Sequence, residues 1–288
     1  MTTGEYLFQW LETFVRPFRA ASTAACYRRA INALPPSVTA CPIDQLHGLA
    51  IQAHLNAQAV NYPRAAQLTY ATLHAAMGKA VELGMINRSP LAGCIKPQHK
   101  AKRAAVLSLE QLQAYITAAR EQPCFPLLLL MATCGLRRGE ALGLMWQDIT
   151  GDTLRVCRQR VRIDRAYRVT DLKSKAAHRV LPLAAPISAE LARIRVRSFA
   201  GWVYDATPEA LRKQHRAALA AADLPAVTLH GLRHSMATAA AADGCPIKVL
   251  QSILGHARYQ LTADLYADHL QPENLAPSMA SLASAVMG

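Results

Sequence analysis

The apolar residues of this chain keep a helical spacing over most of its length and switch to strand-like alternation in one window, residues 153–183. That pattern constrains the fold to a mainly α architecture with one small antiparallel sheet. Leu7, Trp10, Leu11 and Phe14 lie three or four apart, the spacing of one helix face. Residues 65–83 carry a longer amphipathic pattern, and Gly84 is placed to end it in left-handed backbone. The first hundred residues therefore predict a small helical bundle. Further on, Ser108 with Gln111 three residues later predicts a capping box, and residues 126–145 continue as apolar helix broken at Gly135. Within the alternating window the short stretches are Leu154 and Val156, Val161 and Ile163, residues 167–170, and Val180 to Pro182. Helices return at residues 186–197, after the Thr207-Pro208 start signal, and from about Leu229.

Between the two parts, Lys96 to Arg103 combine a proline with the cations Lys96, Lys100, Lys102 and Arg103 and show no periodicity. This predicts an exposed linker. Two readings of its charge stand side by side: a segment lying along a phosphate backbone, or a solvated basic loop. The domain boundaries expected are 1–96 for a helical domain, 97–106 for the basic linker and 107–288 for a mixed α+β domain with a C-terminal tail.

Charge narrows the function classes. Only 18% of the residues are charged, yet the formal net charge is +13, a surplus that attracts polyanions without dictating fold. Nucleic acid is the leading partner and an anionic membrane surface the rival. No apolar run is long enough to span a bilayer, and no amphipathic basic helix recommends the membrane surface. The N-terminus lacks a basic region followed by an apolar stretch, so no secretion signal is expected. Seven cysteines without a Cys-x-x-Cys pair fit a reducing cytoplasm and argue against a disulfide framework or a cysteine zinc site. His230 and His234 sit one helical turn apart, but no third ligand accompanies them, so no metal site is expected. Arg158, Arg160 and Arg162 alternate and would project from one face of a strand. Three like charges there call for a phosphate backbone or for a wide solvent shell.

Four segments place unusual polar residues in apolar surroundings. Arg137 and Glu140, in Gly135-Leu136-Arg137-Arg138-Gly139-Glu140, are three apart and would share a helix face, where the carboxylate could orient or neutralise an arginine. Lys173 precedes the strand Arg179-Val180-Leu181-Pro182-Leu183, and at a hairpin tip it could swing into a site built elsewhere. His230 and Arg233 fall on one face of a helix. Leu254-Gly255-His256 is followed ten positions later by Tyr266. Taken singly, each has an ordinary structural explanation.

Their order and spacing resemble the tyrosine recombinase, or phage integrase, family across nearly the whole chain. That family carries a Gly-Leu-Arg-x-Gly-Glu box, a hairpin lysine before an Arg-x-x-Pro-Leu strand, a His-x-x-Arg-His box, a Leu-Gly-His box and a following tyrosine. All five are present here in that order. Leu83-Gly84-Met85-Ile86-Asn87-Arg88-Ser89-Pro90-Leu91 resembles the family's helical core-binding domain.

The resemblance implies roles that the chemistry makes sense of. Arg137 and Arg233 would clamp the non-bridging oxygens of a phosphodiester with planar forks that lysine cannot reproduce. His230 and His256 would add hydrogen bonds, and His230 would help remove the tyrosine proton. Tyr266 would displace the 5′-oxygen and leave a 3′-phosphotyrosyl bond, conserving the bond energy without ATP. Lys173 would protonate the departing oxygen, with Lys175 two residues away as its competitor for that role. Glu140 would hold the arginine box. Lys100, Lys102, Arg103, Arg158, Arg160, Arg162 and Lys175 would contact the DNA backbone. No cofactor and no divalent metal is expected. Two positions depart from the family pattern: Gly231, often aspartate, and Cys134, often threonine.

By the same resemblance the two domains would close as a clamp on double-stranded DNA carrying specific recombination sites. A monomer in solution would assemble as a homotetramer on synapsed DNA, with accessory bending or directionality factors as further partners. The tail, with Leu270, Leu275, Met279 and Leu282 as apolar anchors, would dock on a neighbouring protomer or pack on itself. A separate arm-site domain is not expected. The function implied is that of a site-specific recombinase integrating or excising a mobile element. A relaxing topoisomerase of the related single-strand type and a non-cleaving DNA-binding protein of the same fold are the alternatives.

Overall fold

A computed structural model describes residues 1–99, 105–163, 166–195, 201–257 and 262–263. The chain divides into two units, Met1–Lys102 with Arg162–Ala166, and Arg103–Val161 with Tyr167–Gly288.

In the first unit, Thr2 and Glu5 close a capping box that starts α1 (Thr3–Trp10), whose path continues as a π-turn over Leu11–Val15. It is followed by α2 (Ala21–Asn32), the short α3 (Pro36–Thr39), α4 (Gly48–Asn61) and α5 (Pro63–Glu82). The apolar faces meet in one core built from Leu7, Trp10, Leu11, Ile31, Ile51, Leu55, Leu73 and Met77. Tyr6 is buried with them and donates its hydroxyl to the Ala76 carbonyl at 2.7 Å, tying α1 to α5. α5 ends as its sequence predicts. Gly84 takes φ +68°, its N–H reaches Val81 and that of Met85 reaches Ala80, the two bonds of a Schellman motif.

The second unit opens with α6 (Leu109–Ala119), started by the Ser108–Gln111 capping box. Next comes α7 (Phe125–Cys134), with nine of its ten residues buried. A helix apolar on all sides belongs inside, and α7 packs against α6, α8 (Arg138–Leu142) and α11 (Leu229–Ala242). The other helices are α9 (Ala185–Arg195), α10 (Pro208–Ala221) and α12 (Ile247–Leu254). Thr207 caps α10 with Pro208 in its first turn. Buried His215 of α10 joins Tyr115 of α6 to the Val227 carbonyl just ahead of α11.

The strand window differs from expectation in one respect: it forms two sheets. β1 (Ile149–Thr150), β2 (Thr153–Val156) and β5 (Arg179–Pro182) make an antiparallel sheet in the order β1-β2-β5, with Leu154 opposite Leu181. β3 (Gln159–Ile163) and β4 (Ala166–Thr170) pair separately. Burial explains the split. Leu154, Val156 and Leu181 face the core, whereas no residue of β3 or β4 is fully buried. Among the described residues no helix is long and apolar enough to cross a membrane.

Candidate active site

The site is built around the C-terminal end of α12. A helix leaves its last four carbonyls without intrahelical partners, and here the end of α12 finds a partner for each. The Gly255 N–H bonds Ser252 and the His256 N–H bonds Gln251, closing a Schellman motif around Gly255 at φ +62°. The next three carbonyls each take a different arginine. Arg179 Nε donates to Ile253 at 2.6 Å, Arg233 Nη2 to Leu254 at 2.6 Å and Arg137 Nη2 to Gly255 at 3.0 Å. Guanidiniums at this end also suit the partial negative charge of the helix dipole.

Glu140 organises two of the three. Its carboxylate, 2% exposed, accepts from the Arg137 N–H at 3.0 Å, Arg137 Nη1 at 2.7 Å and Arg179 Nη2 at 2.9 Å. Arg137 precedes α8 in extended backbone and Glu140 lies in the first turn. The pair thus meets through helix-start geometry and not as two residues on one helix face, which corrects the reading from spacing. Burial by itself would raise the Glu140 pKa, but hydrogen bonds and charge from Arg179, then from Arg137, hold it below its ordinary value. Arg233 of α11 lies beneath, 2% exposed, and its Nη1 donates to the Gly135 carbonyl. Desolvation, then the neighbouring charge of Arg137, lowers its pKa to about 9, so it remains a cation at neutral pH. Gly135 is the left-handed end of α7, where a Cβ would lie 2.2 Å from Met236 Cε. Of the three arginines Arg137 is the most open to solvent, its side chain 37% exposed. Both Arg137 and Arg233 spend one N–H of each terminal nitrogen on the protein, and each such nitrogen carries a second.

His230 opens α11 with its ring centroid 4.4 Å from that of His234. Partial burial first, then the charges of His234, Arg233 and Arg137, lowers its pKa to about 4. His256 also falls to about 4, from burial and then Arg233 and Arg137, and its Nδ1 is 3.0 Å from Thr262 Oγ1. Both rings are neutral at pH 7, each with one N–H donor and one lone pair. Gly231, beside them, is smaller than the family's usual residue. A Cβ there would meet the Ala105 carbonyl at 3.0 Å, and Ser235 links this segment to α11 through the Leu107 N–H at 2.8 Å.

Lys173 and Lys175 are exposed on the connection from β4 to β5, and Lys175 begins a 3-10 turn that ends at Ala177. Because β4 and β5 belong to different sheets, neither lysine is at a hairpin tip, contrary to expectation. The connection nonetheless reaches the site: the Ala176 carbonyl would lie 2.9 Å from a Cβ at Gly255. Gly255→Ala should therefore lower stability by about 1–3 kcal/mol, from left-handed backbone and that contact, and slow any reaction needing His256. An unchanged melting temperature would contradict this packing.

The alternating arginines need correction as well. Arg158 lies outside β3 and pairs with buried Asp148, and Arg160 pairs with Asp205 at 2.5 Å between the rings of Tyr167 and Trp202. Their charges are answered inside the protein, so the row requires no external anion at these two positions. Arg162 is exposed. Lys100, Lys102, Arg103, Tyr266 and the tail with Leu270, Leu275, Met279 and Leu282 lie outside the described residues.

Spacing missed Arg179. It has the same strand parity as buried Leu181, so it points inward, and a cation at an inward strand position is the feature that could have flagged it.

The fold is shared with solved integrases bound to DNA. The Tn1549 transposon integrase in complex with circular intermediate DNA superposes with TM-score 0.83 at 17% identity, over 98% of this chain and 99% of that one. A lambda integrase dimer on a COC′ core site gives 0.74 at 18% identity, over 94% and 79%. In sequence, a protein assigned as the prophage phiRv2 integrase of Mycobacterium tuberculosis strain H37Rv is 28% identical over 90% of this chain and 74% of its own length. A XerC-like tyrosine recombinase of Caldanaerobacter subterraneus is 27% identical over 67% and 59%. Fold and relatives define a site-specific recombinase catalytic domain preceded by a helical unit. Residues 105–273 match the Phage integrase family, and the chain belongs to that family.

Proposed function

We propose that this chain cuts and rejoins double-stranded DNA at specific sites through a covalent bond between Tyr266 and a 3′-phosphate, in the service of a mobile genetic element. The observation that carries the reading is the charge imbalance at the end of α12. The guanidiniums of Arg137, Arg179 and Arg233 surround the single carboxylate of Glu140, while the pKa values of His230 and His256, near 4, leave those imidazoles neutral. Three positive charges against one negative leave an excess of two. Such an excess in a largely buried cluster favours an anion, and favours still more the extra negative charge of a phosphoryl transition state.

In the reaction, the Tyr266 phenol gives its proton to neutral His230 and its oxygen attacks phosphorus. The bond from phosphorus to the 5′-oxygen breaks, and that oxygen takes a proton from Lys173 or Lys175. Arg137, Arg233 and His256 donate hydrogen bonds to the non-bridging oxygens. A 5′-hydroxyl from a second strand reverses these steps and releases the tyrosine. Lys100, Lys102, Arg103, Arg162 and Lys175 hold the backbone from the linker and strand region. The unit at 1–96 serves as core-binding domain across the linker at 97–106. Four copies on two synapsed sites supply the paired cuts, and the lambda integrase tetramer on a Holliday junction supports this assembly.

Nicked suicide duplexes tiled across the DNA flanking the gene test the reading. The full chain should form a detergent-resistant covalent adduct on at least one of them and join the cut strand to a second duplex. Tyr266→Phe should bind the same duplex and form no adduct. Tight binding without an adduct from the unaltered chain would reduce it to a DNA-binding protein.

A further inference from the structure

We propose that Arg179 is a positioning residue that holds Arg137, the Lys173–Lys175 connection and the His256 loop in one register for strand cleavage. The inference deepens the strand-transfer reading and rests on it. Each nitrogen of this guanidinium binds a different segment. Nη2 donates to Glu140 Oε2 at 2.9 Å, and Glu140 in turn holds Arg137. Nη1 donates at 3.0 Å to the Ala177 carbonyl, which closes the turn begun by Lys175. Nε donates at 2.6 Å to the Ile253 carbonyl on the last turn of α12, which leads into Gly255 and His256. Glu140 and Ile253 lie 39 and 74 positions away in sequence, so no local structure fixes these partners to one another.

Arg179 commits all three of its nitrogens to the protein, and its side chain is 6% exposed, so it acts through these partners. The fit around it is close, since a Cβ on Gly255 would stand 3.1 Å from its Nη1. A lysine offers one nitrogen and cannot reproduce three divergent bonds. The charge matters separately. Glu140 faces Arg137 from the turn before α8, Arg179 from β5 and Arg233 from α11, while His230 and His256 stay uncharged near neutrality. Without Arg179, burial pushes the carboxyl upward against Arg137 and Arg233 only. A protonated Glu140 accepts fewer hydrogen bonds from Arg137 and leaves it loosely aimed.

The test uses the full chain and the suicide duplex that the unaltered protein cleaves, with each rate taken as a ratio to the unaltered protein at the same pH. Arg179→Met should bind that duplex within about threefold of the unaltered chain. At the acid end of the protein's stable range it should cleave about a hundredfold more slowly, and the ratio should recover by about tenfold or more as pH rises and Glu140 ionises. Arg179→Lys, which keeps a charge, should be slower by about tenfold with a ratio flat in pH. Adding Glu140→Gln to Arg179→Met should abolish the pH slope. A flat ratio in Arg179→Met, or cleavage equal to that of the unaltered chain, overturns the inference. So does loss of the folded state in both single variants, which would assign Arg179 to stability alone. Failure of the unaltered chain on every duplex would instead sink the strand-transfer reading, and this inference with it.

Discussion

Glu140→Ala is expected to destabilise the second unit by about 3–5 kcal/mol, the usual cost of breaking a buried ion pair by removing one partner, and to abolish cleavage. The carboxylate is 2% exposed and is the acceptor for Arg137 and Arg179. Without it, two guanidiniums face each other across a hole, with Arg233 beneath. Glu140→Gln keeps the shape and loses the charge, so it should fall between the two. pH separates them further. The folded-state pKa of Glu140 is lowered, so its contribution is complete above the ordinary carboxylate value near 4.5 and is lost as pH falls toward the lowered one. The glutamine variant should lack that part of the acid sensitivity. Urea denaturation measures both effects, and a Glu140→Ala variant within about 1 kcal/mol of the unaltered chain would mean that the cluster is not a coupled network.

The second large effect is expected at Arg137. Arg137→Lys should slow cleavage by about 10²–10³-fold, the scale seen when one donor to a developing oxyanion is removed, while DNA affinity changes little. Arg137 uses one terminal nitrogen on Glu140 and the other on the Gly255 carbonyl, and its side chain is 37% exposed. It is anchored by the protein and partly open to solvent. A lysine keeps the charge but cannot span both anchors and still point outward. Single-turnover cleavage and filter binding on the same duplex separate the two outcomes, and equal losses of binding and cleavage would make Arg137 a general contact. Arg233 is the less clean probe, because its buried bonds to Gly135 and Leu254 make part of any loss a matter of stability.

Local sequence was informative where local chemistry decides structure. The helix start at Ser108 and Gln111, the start at Thr207 and Pro208 and the left-handed stop at Gly84 all form as their residue types require. The fold class followed from periodicity, and the family from five ordered motifs. What spacing could not reach was set by distant partners. Asp148 and Asp205 answer Arg158 and Arg160 from 10 and 45 positions away, so two arginines of a row that looked unpaired are paired. The window read as one sheet divides in two because β2 and β5 have residues to bury against the core and β3 and β4 do not, and the same division removes Lys173 from a hairpin tip. Spacing does not single out Arg179, because two of its three partners, Glu140 and Ile253, lie 39 and 74 positions away.

The central claim is that one phenol becomes covalently bonded to DNA at the arginine cluster. It is tested most directly by digesting the trapped adduct with protease and nuclease and weighing the modified peptide. The peptide containing Tyr266 should carry a single 3′-phosphonucleotide on that side chain. A nucleotide found on any other residue, or an adduct that persists in Tyr266→Phe, would contradict it.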